Sequence, residues 1–290
     1  MGSFGILVVR TMLVLSLYLA AFRPTVLAAS FYDYFTAYGD SEHVVVASGG
    51  QSAQLVLDEK AAAGFGSTNK YLFGSVSTQI KLIPGNSAGT VLAYYMSSNT
   101  AAHDEIDFEF LGNTSGQPYS VQTNIYASGV GGREQRVFLW FDPTTSFHTY
   151  AFLWNKAQII FYVDSIPIRV FKNNEDIGVP FPTSQPMSIY SSLWNGDQWA
   201  TRGGAVKLNW TYAPFITSYQ SFQIDACVAS TSSNADCPAN SKWNQASFQI
   251  LSNNDRIALE SVRQNYMTYD YCSDRKRYST VPAECARNTV

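Results

Sequence analysis

Between Glu105 and Phe110 the chain alternates without a break: Glu105, Ile106, Asp107, Phe108, Glu109, Phe110. A helix would scatter such a pattern around its circumference, whereas in a strand residues i, i+2 and i+4 share one face. The segment must therefore be a strand with a dry side of Ile106, Phe108 and Phe110 and an acidic side of Glu105, Asp107 and Glu109. The dry side can pack between two sheets, which leaves the acids on an outer, concave face. Short β-branched or aromatic runs recur through the chain, at Val121–Tyr126, Val137–Phe141, Thr149–Trp154, Gln158–Val163, Met187–Tyr190 and Val206–Trp210. Turn-forming clusters separate them, among them Pro84-Gly-Asn86, Gly112-Asn113, Asp142-Pro143, Asn173-Asn174 and Asn195-Gly-Asp197. Many short strands at even spacing predict an all-β sandwich of two antiparallel sheets. No helical period precedes residue 250; Asp255–Gln264 reads as one short helix, and Tyr266–Tyr271 as a last strand.

Residues 1–29 form a separate unit. They hold no acid, an early Arg10, the apolar run Thr11–Phe22 and small residues at Ala28 and Ala29. This is the pattern of a secretory signal peptide cleaved near Ala28 or Ala29, and the run is short for a membrane span, which takes about 20 apolar residues. With Arg10 and Arg23 removed, the 19 basic residues fall to 17 against 22 acidic ones. No basic cluster stands out, so no nucleic-acid partner is expected, and no membrane contact is expected after cleavage. Charged residues make up 14% of the chain and aromatics another 14%, a balance suited either to an aromatic β core or to binding neutral, stackable ligands such as sugars. The four cysteines, Cys227, Cys237, Cys272 and Cys285, fall in the last quarter. In a secreted chain they suggest disulfides, in any of about three pairings. The two local ones, Cys227–Cys237 and Cys272–Cys285, are the simplest; a zinc site lacks close ligand spacing and a nearby histidine. We expect a domain over 30–225 and a stapled C-terminal extension of it over 226–290.

Three like charges on one face of a strand oppose stability, so they need another reason. At least one carboxyl should hold its proton above the usual range, because close carboxylates cannot all ionise freely. Glycoside hydrolysis needs that division: one carboxylate attacks, and one carboxylic acid protonates the leaving oxygen. The middle acid can hydrogen-bond the nucleophile. A calcium site and a solvated edge strand are the alternatives. On a flat strand, Cα atoms four residues apart lie about 13 Å from each other, while a retaining pair needs carboxyls about 5–5.5 Å apart, so strand curvature and side-chain lean must close the gap.

The segment His103-Asp-Glu-Ile-Asp-Phe-Glu-Phe-Leu-Gly112 resembles the signature of plant xyloglucan endotransglucosylase/hydrolases of glycoside hydrolase family 16. The resemblance extends over nearly all of the chain beyond residue 29, through Tyr71–Gly74, Pro84–Thr90, Gln122-Thr-Asn124, Arg133–Arg136, Leu139–Pro143, Pro167-Ile-Arg169, Trp199–Gly204 and Ala213-Pro-Phe215. It implies a β-jelly-roll with an open groove, Glu105 as nucleophile, Asp107 as its helper and Glu109 as general acid/base. It implies glycan contacts from Gln122, Thr123, Asn124, Gly132, Arg133, Glu134, Trp199, Ala200, Gly204 and Arg275. It further implies a monomer, secreted to the cell wall and apoplast, that works on xyloglucan donor and acceptor chains with no cofactor or metal. His103 and His148 read as a flank and a strand entrance. Asn113-Thr-Ser115 is a sequon where the family commonly has one; Asn209-Trp-Thr211 is a second, in an expected strand. Gly132, the loop Asn195–Trp199 and Tyr38 depart from the family's usual residues. Ile125–Gly132 leads straight into Arg133 without the longer loop of members that mainly hydrolyse, which favours transfer. A hydrolase and a lectin-like binding module are the competing functions.

Overall fold

The computed structural model describes residues 29–229, 237 and 240–287; the expected signal peptide lies, but for Ala29, outside them. In chain order the described elements begin with the short helix α1 (Phe31–Tyr34) and the strands β1 (Phe35–Gly39), β2 (Val44–Val46), β3 (Ser52–Leu57), β4 (Ala63–Ser67) and β5 (Tyr71–Lys81). There follow β6 (Thr90–Ser97), β7 (Glu105–Leu111), β8 (Ser120–Tyr126), β9 (Gln135–Phe138) and β10 (His148–Trp154). The chain continues through β11 (Gln158–Val163), β12 (Ile166–Lys172), β13 (Ser188–Asn195), β14 (Phe215–Val228), helix α2 (Asn253–Tyr266) and β15 (Met267–Asp270). One sheet has eight strands in the order β1-β4-β13-β6-β7-β8-β9-β15, and the other has seven in the order β12-β11-β10-β5-β14-β3-β2. Every pairing between these strands is antiparallel.

The core lies where the dry faces meet. Phe108 of β7 sits 4.9 Å from Phe152 of β10 and 5.2 Å from Phe161 of β11, centroid to centroid. Phe110 meets Tyr150 edge-on at 4.7 Å. Ile106, Phe108 and Phe110 are all fully buried, as the alternation requires. Burial of such side chains contributes roughly 1.5–3 kcal/mol each, and this is what fixes the register of β7: a slip of one residue would drive three acids into the core.

Some elements differ from expectation. Val206–Trp210 is not a strand: Asn209 accepts hydrogen bonds from the backbone N–H and hydroxyl of Thr211 and caps a 3-10 turn over Trp210–Tyr212. A side chain that offers the backbone such a partner competes with a ladder. The strand expected over 137–141 is β9, which ends at Phe138. Helix α2 starts two residues earlier than expected, because Ser252 caps it by accepting from Asp255 N. β15 then runs beside β9, so the C-terminal region supplies an edge strand of the eight-stranded sheet. Both local disulfides are present, Cys227–Cys237 and Cys272–Cys285. Among the described residues no helix is long and apolar enough to cross a membrane.

Candidate active-site cleft

The acidic face of β7 forms the floor of a cleft of about 380 Å³ on the eight-stranded sheet. Register places each acid in its own row. Glu105 lies between Ser97 and Tyr126, Asp107 between Tyr95 and Asn124, and Glu109 between Ala93 and Gln122. Cross-strand partners share a face, so Ala93, Tyr95, Gln122, Asn124 and Tyr126 join the acids in the lining, together with Glu134, Ser192, Trp194 and Trp199.

All three carboxyls hold their protons above the usual range, and burial is the chief cause in each. At Glu105, His103 and the Ser97 hydroxyl oppose the rise. Asp107 is raised furthest, with Glu109 and Glu105 adding to the burial and the Arg169 guanidinium opposing it. One of its oxygens is buried without a hydrogen-bond partner. At Glu109 the Gln122 amide opposes burial while Glu105 adds to it, so the first and last acids of the row sense each other. A neutral Asp107 between two glutamates can donate a hydrogen bond to whichever of them carries charge, and relieves the like-charge repulsion of the row.

Arg169 was not foreseen as part of the site. It is buried between the sheets, donating to Thr123 O at 2.8 Å, Thr123 Oγ1 at 3.0 Å and Arg133 O at 2.6 Å. It acts on Asp107 only through its field. A partly alternating strand pattern around Pro167-Ile-Arg169 gives no sign of such a position; an arginine on the dry face of an otherwise apolar strand is the one signal available.

Residues 31–212 match the family model described as glycosyl hydrolases family 16, and residues 237–285 match the xyloglucan endo-transglycosylase (XET) C-terminus. The chain belongs to the xyloglucan endotransglucosylase/hydrolases of family 16. Among curated relatives, xyloglucan endotransglucosylase/hydrolase protein A of Phaseolus angularis is 55% identical over 248 residues, 85% of each chain. Xyloglucan endotransglucosylase protein 2 of Diospyros kaki is 54% identical over 248 residues, 85% of this chain and 84% of that one. The fold is that of the Bacillus licheniformis beta-glucanase, with a TM-score of 0.52 and 24% identity over 68% of this chain and 92% of that one. The Crh5 transglycosylase in complex with NAG has a TM-score of 0.56 at 22% identity, covering 71% of this chain and 82% of that one.

The residues that family resemblance nominates for glycan binding separate into two groups. Gln122, Asn124, Glu134 and Trp199 line the cleft, and Trp199 keeps 38% of its surface exposed, enough to offer a ring face to a sugar. Thr123 and Arg133 do not face it. Thr123 is paired with Phe108 in register and turns to the dry side, where its hydroxyl receives Arg169. The Arg133 side chain is buried against Glu284, Nε to Oε1 at 2.8 Å. Ala200 is buried with Val91, Leu111 and Trp194. Gly204 has φ +85°, and a Cβ there would lie 2.0 Å from Gln198 O, so its role is to let the loop close under Trp199. Thr201 pins that loop, donating to Gly112 O at 2.6 Å and accepting from Gly89 N at 2.8 Å.

Arg275 is exposed, while its neighbour Arg277 reaches Glu134 at 2.6 Å. Tyr278 Oη donates to Gly132 O. The C-terminal region thus grips segment 132–134 at one end of the cleft through Arg277, Tyr278 and Glu284; Arg275, expected to contact glycan, takes no part in that grip. His103 Nε2 stands 4.0 Å from Glu105 Oε2. His148 lies at the entrance of β10 in the other sheet, held by Asp164 at 2.6 Å and Ser146 at 2.9 Å. Asn113 lies just beyond β7 and donates to Pro118 O. Asn209, expected in a strand, is instead exposed in its turn.

Proposed function

We propose that the chain is a retaining endo-transglycosylase that cleaves the β-1,4-glucan backbone of xyloglucan and passes the glycosyl unit to another xyloglucan chain. The observation that carries this is the row of three carboxyls on the cleft floor, the middle one buried and holding its proton above the usual carboxylate range, in a cleft also lined by Trp194 and Trp199. Glu105 attacks the anomeric carbon. As that bond forms, Glu109 gives its proton to the departing glycosidic oxygen, which leaves with the electron pair of the broken C–O bond. Asp107 hydrogen-bonds the nucleophile and keeps repulsion in the row low. An acceptor hydroxyl then gives its proton to Glu109 and displaces Glu105, restoring both groups.

Transfer competes with hydrolysis for the glycosyl-enzyme. The hairpin after β8 favours transfer: it closes in the fewest residues, Ala127 and Val130 exchanging both backbone hydrogen bonds across Ser128 and Gly129. It leaves the cleft beside β8 clear for a second glycan. We place the chain outside the cell, in the wall and apoplast, as a monomer freed of its first 29 residues and carrying glycan on Asn113, with a catalytic unit over 30–225 and an extension over 226–290. Purified protein is incubated with xyloglucan and excess labelled xyloglucan oligosaccharide. The reading expects label to enter the polymer and chain shortening to accelerate; rapid release of reducing ends indifferent to acceptor would mark a hydrolase, and binding without either a lectin.

A further inference from the structure

Glu109, Gln122 and Arg136 stand side by side on three strands, because Gln122 is the register partner of Glu109 on β7 and of Arg136 on β9. Arg136 Nη2 donates to Gln122 Oε1 at 2.5 Å, and Gln122 Nε2 donates to Glu109 Oε2 at 2.6 Å. A guanidinium has donors only. It therefore forces Gln122 to turn its amide oxygen toward Arg136 and its –NH2 toward Glu109. Glu109 Oε2 thus meets an N–H, and in a carboxylic acid the carbonyl oxygen accepts better than the hydroxyl oxygen. When Glu109 is protonated, the short hydrogen bond therefore favours the proton on Oε1.

Stability does not explain the arginine. Its Nε is buried without an acceptor, an arrangement that costs free energy, and burial weakens its own hold on its proton.

We propose that Arg136 is a positioning residue that, acting through Gln122, decides which oxygen of Glu109 carries the transferable proton. This rests on the acid/base reading of Glu109 given above. Oε1–H then delivers its proton to the leaving oxygen, and the hydrogen bond at Oε2 strengthens as the carboxylate forms. In the second half-reaction the acceptor's proton returns to Oε1, so the proton count closes over the cycle. Without Arg136 the amide is free to rotate. A flipped Gln122 presents its oxygen to Glu109 and draws the proton to Oε2, where the hydrogen bond to that oxygen holds it back from transfer.

The test compares Arg136→Met with the wild type over pH on two substrates. One is xyloglucan with an oligosaccharide acceptor, whose leaving group needs protonation. The other is an aryl glycoside of a xyloglucan oligosaccharide with an activated phenol, which does not. On xyloglucan, kcat should fall by about 10- to 100-fold, part of the 10²–10⁴ that general acid catalysis supplies. On the aryl glycoside it should stay within about 2-fold, the difference being the proton-transfer contribution alone. The basic limb of the xyloglucan pH profile should move to higher pH, since the lost N–H and the lost positive charge both favoured the carboxylate. Arg136→Gln leaves Gln122 and the cleft lining in place, but its amide can donate or accept and so no longer fixes which way Gln122 turns; it should show the same split between substrates, which keeps the test alive if Arg136→Met folds poorly. Equal losses on both substrates with an unmoved basic limb, or full activity of either variant on xyloglucan, would overturn the proposal. Glu109→Gln is the control for the underlying reading. If it cleaves xyloglucan normally, the acid/base assignment itself is wrong; if it shows the leaving-group split and the relay variants do not, only the relay is wrong.

Discussion

At the scale of single residues, the three acids of β7 differ in what they should lose on substitution. Glu105→Gln should nearly abolish turnover on every substrate while circular dichroism and Tm stay native. Glu109→Gln should lose about 10²–10⁴-fold on xyloglucan and much less on activated aryl glycosides. Substantial xyloglucan cleavage by Glu105→Gln would reverse the assignment. Asp107 gives a stability prediction. Its carboxyl holds its proton more tightly folded than unfolded, so in the window between the two values the folded state binds the extra proton. Stability then falls as pH rises through that window, and each unit of difference is worth about 1.4 kcal/mol. Asp107→Asn should therefore flatten the decline of Tm from pH 4 to pH 8 and be the more stable protein at neutral pH; a parallel decline in both would show that other groups set it. The acids themselves were legible in the sequence because strand period 2 is visible in one strand alone. Arg136, Arg169 and Arg277 were not, because what each touches depends on which strand lies beside it, and register between distant segments leaves no trace in a single chain.

At the scale of elements, the sequence read best where a β-branched or aromatic run is largely buried, as in β7, β8, β10 and β11, since apolar burial and local propensity there agree. It failed at Val206–Trp210, whose composition suits a strand but whose Asn209 captures Thr211 and turns the backbone instead. It also took Thr123 and Arg133 for cleft residues from their place in a motif, although a strand sends adjacent residues to opposite faces and Thr123 follows Gln122. The Cys272–Cys285 bridge closes the segment that carries Arg277 and Tyr278 to the cleft. Cys272→Ser/Cys285→Ser should cost roughly 3 kcal/mol. Beyond that, Glu134 should lose its fixed partner, so acceptor KM should rise more than kcat falls; steady-state kinetics with varied oligosaccharide acceptor would show it, and an unchanged KM would place Glu134 outside the acceptor's path.

At the scale of the whole molecule, the two family-matched regions are joined by a buried ion pair, Arg133 with Glu284. Glu284→Ala would leave a guanidinium buried without its counter-charge, and breaking such a pair costs about 3–5 kcal/mol. Denaturant titration should register that loss; a cost below about 1 kcal/mol, the range of an exposed pair, would mean water already reaches Arg133. The pairing of β15 with β9 carries a further consequence. β9 is complete by residue 138, yet its outer neighbour begins only at Met267, so more than a hundred residues must be made before that edge is covered. During synthesis the β9 edge offers unpaired backbone to any passing strand, and the walls around Glu134 have nothing to brace them. A half-made chain is thus both at its most adhesive and without a finished cleft. The segment that closes the edge and braces the site is made long after the strand it covers, so chemistry waits for residues beyond 267.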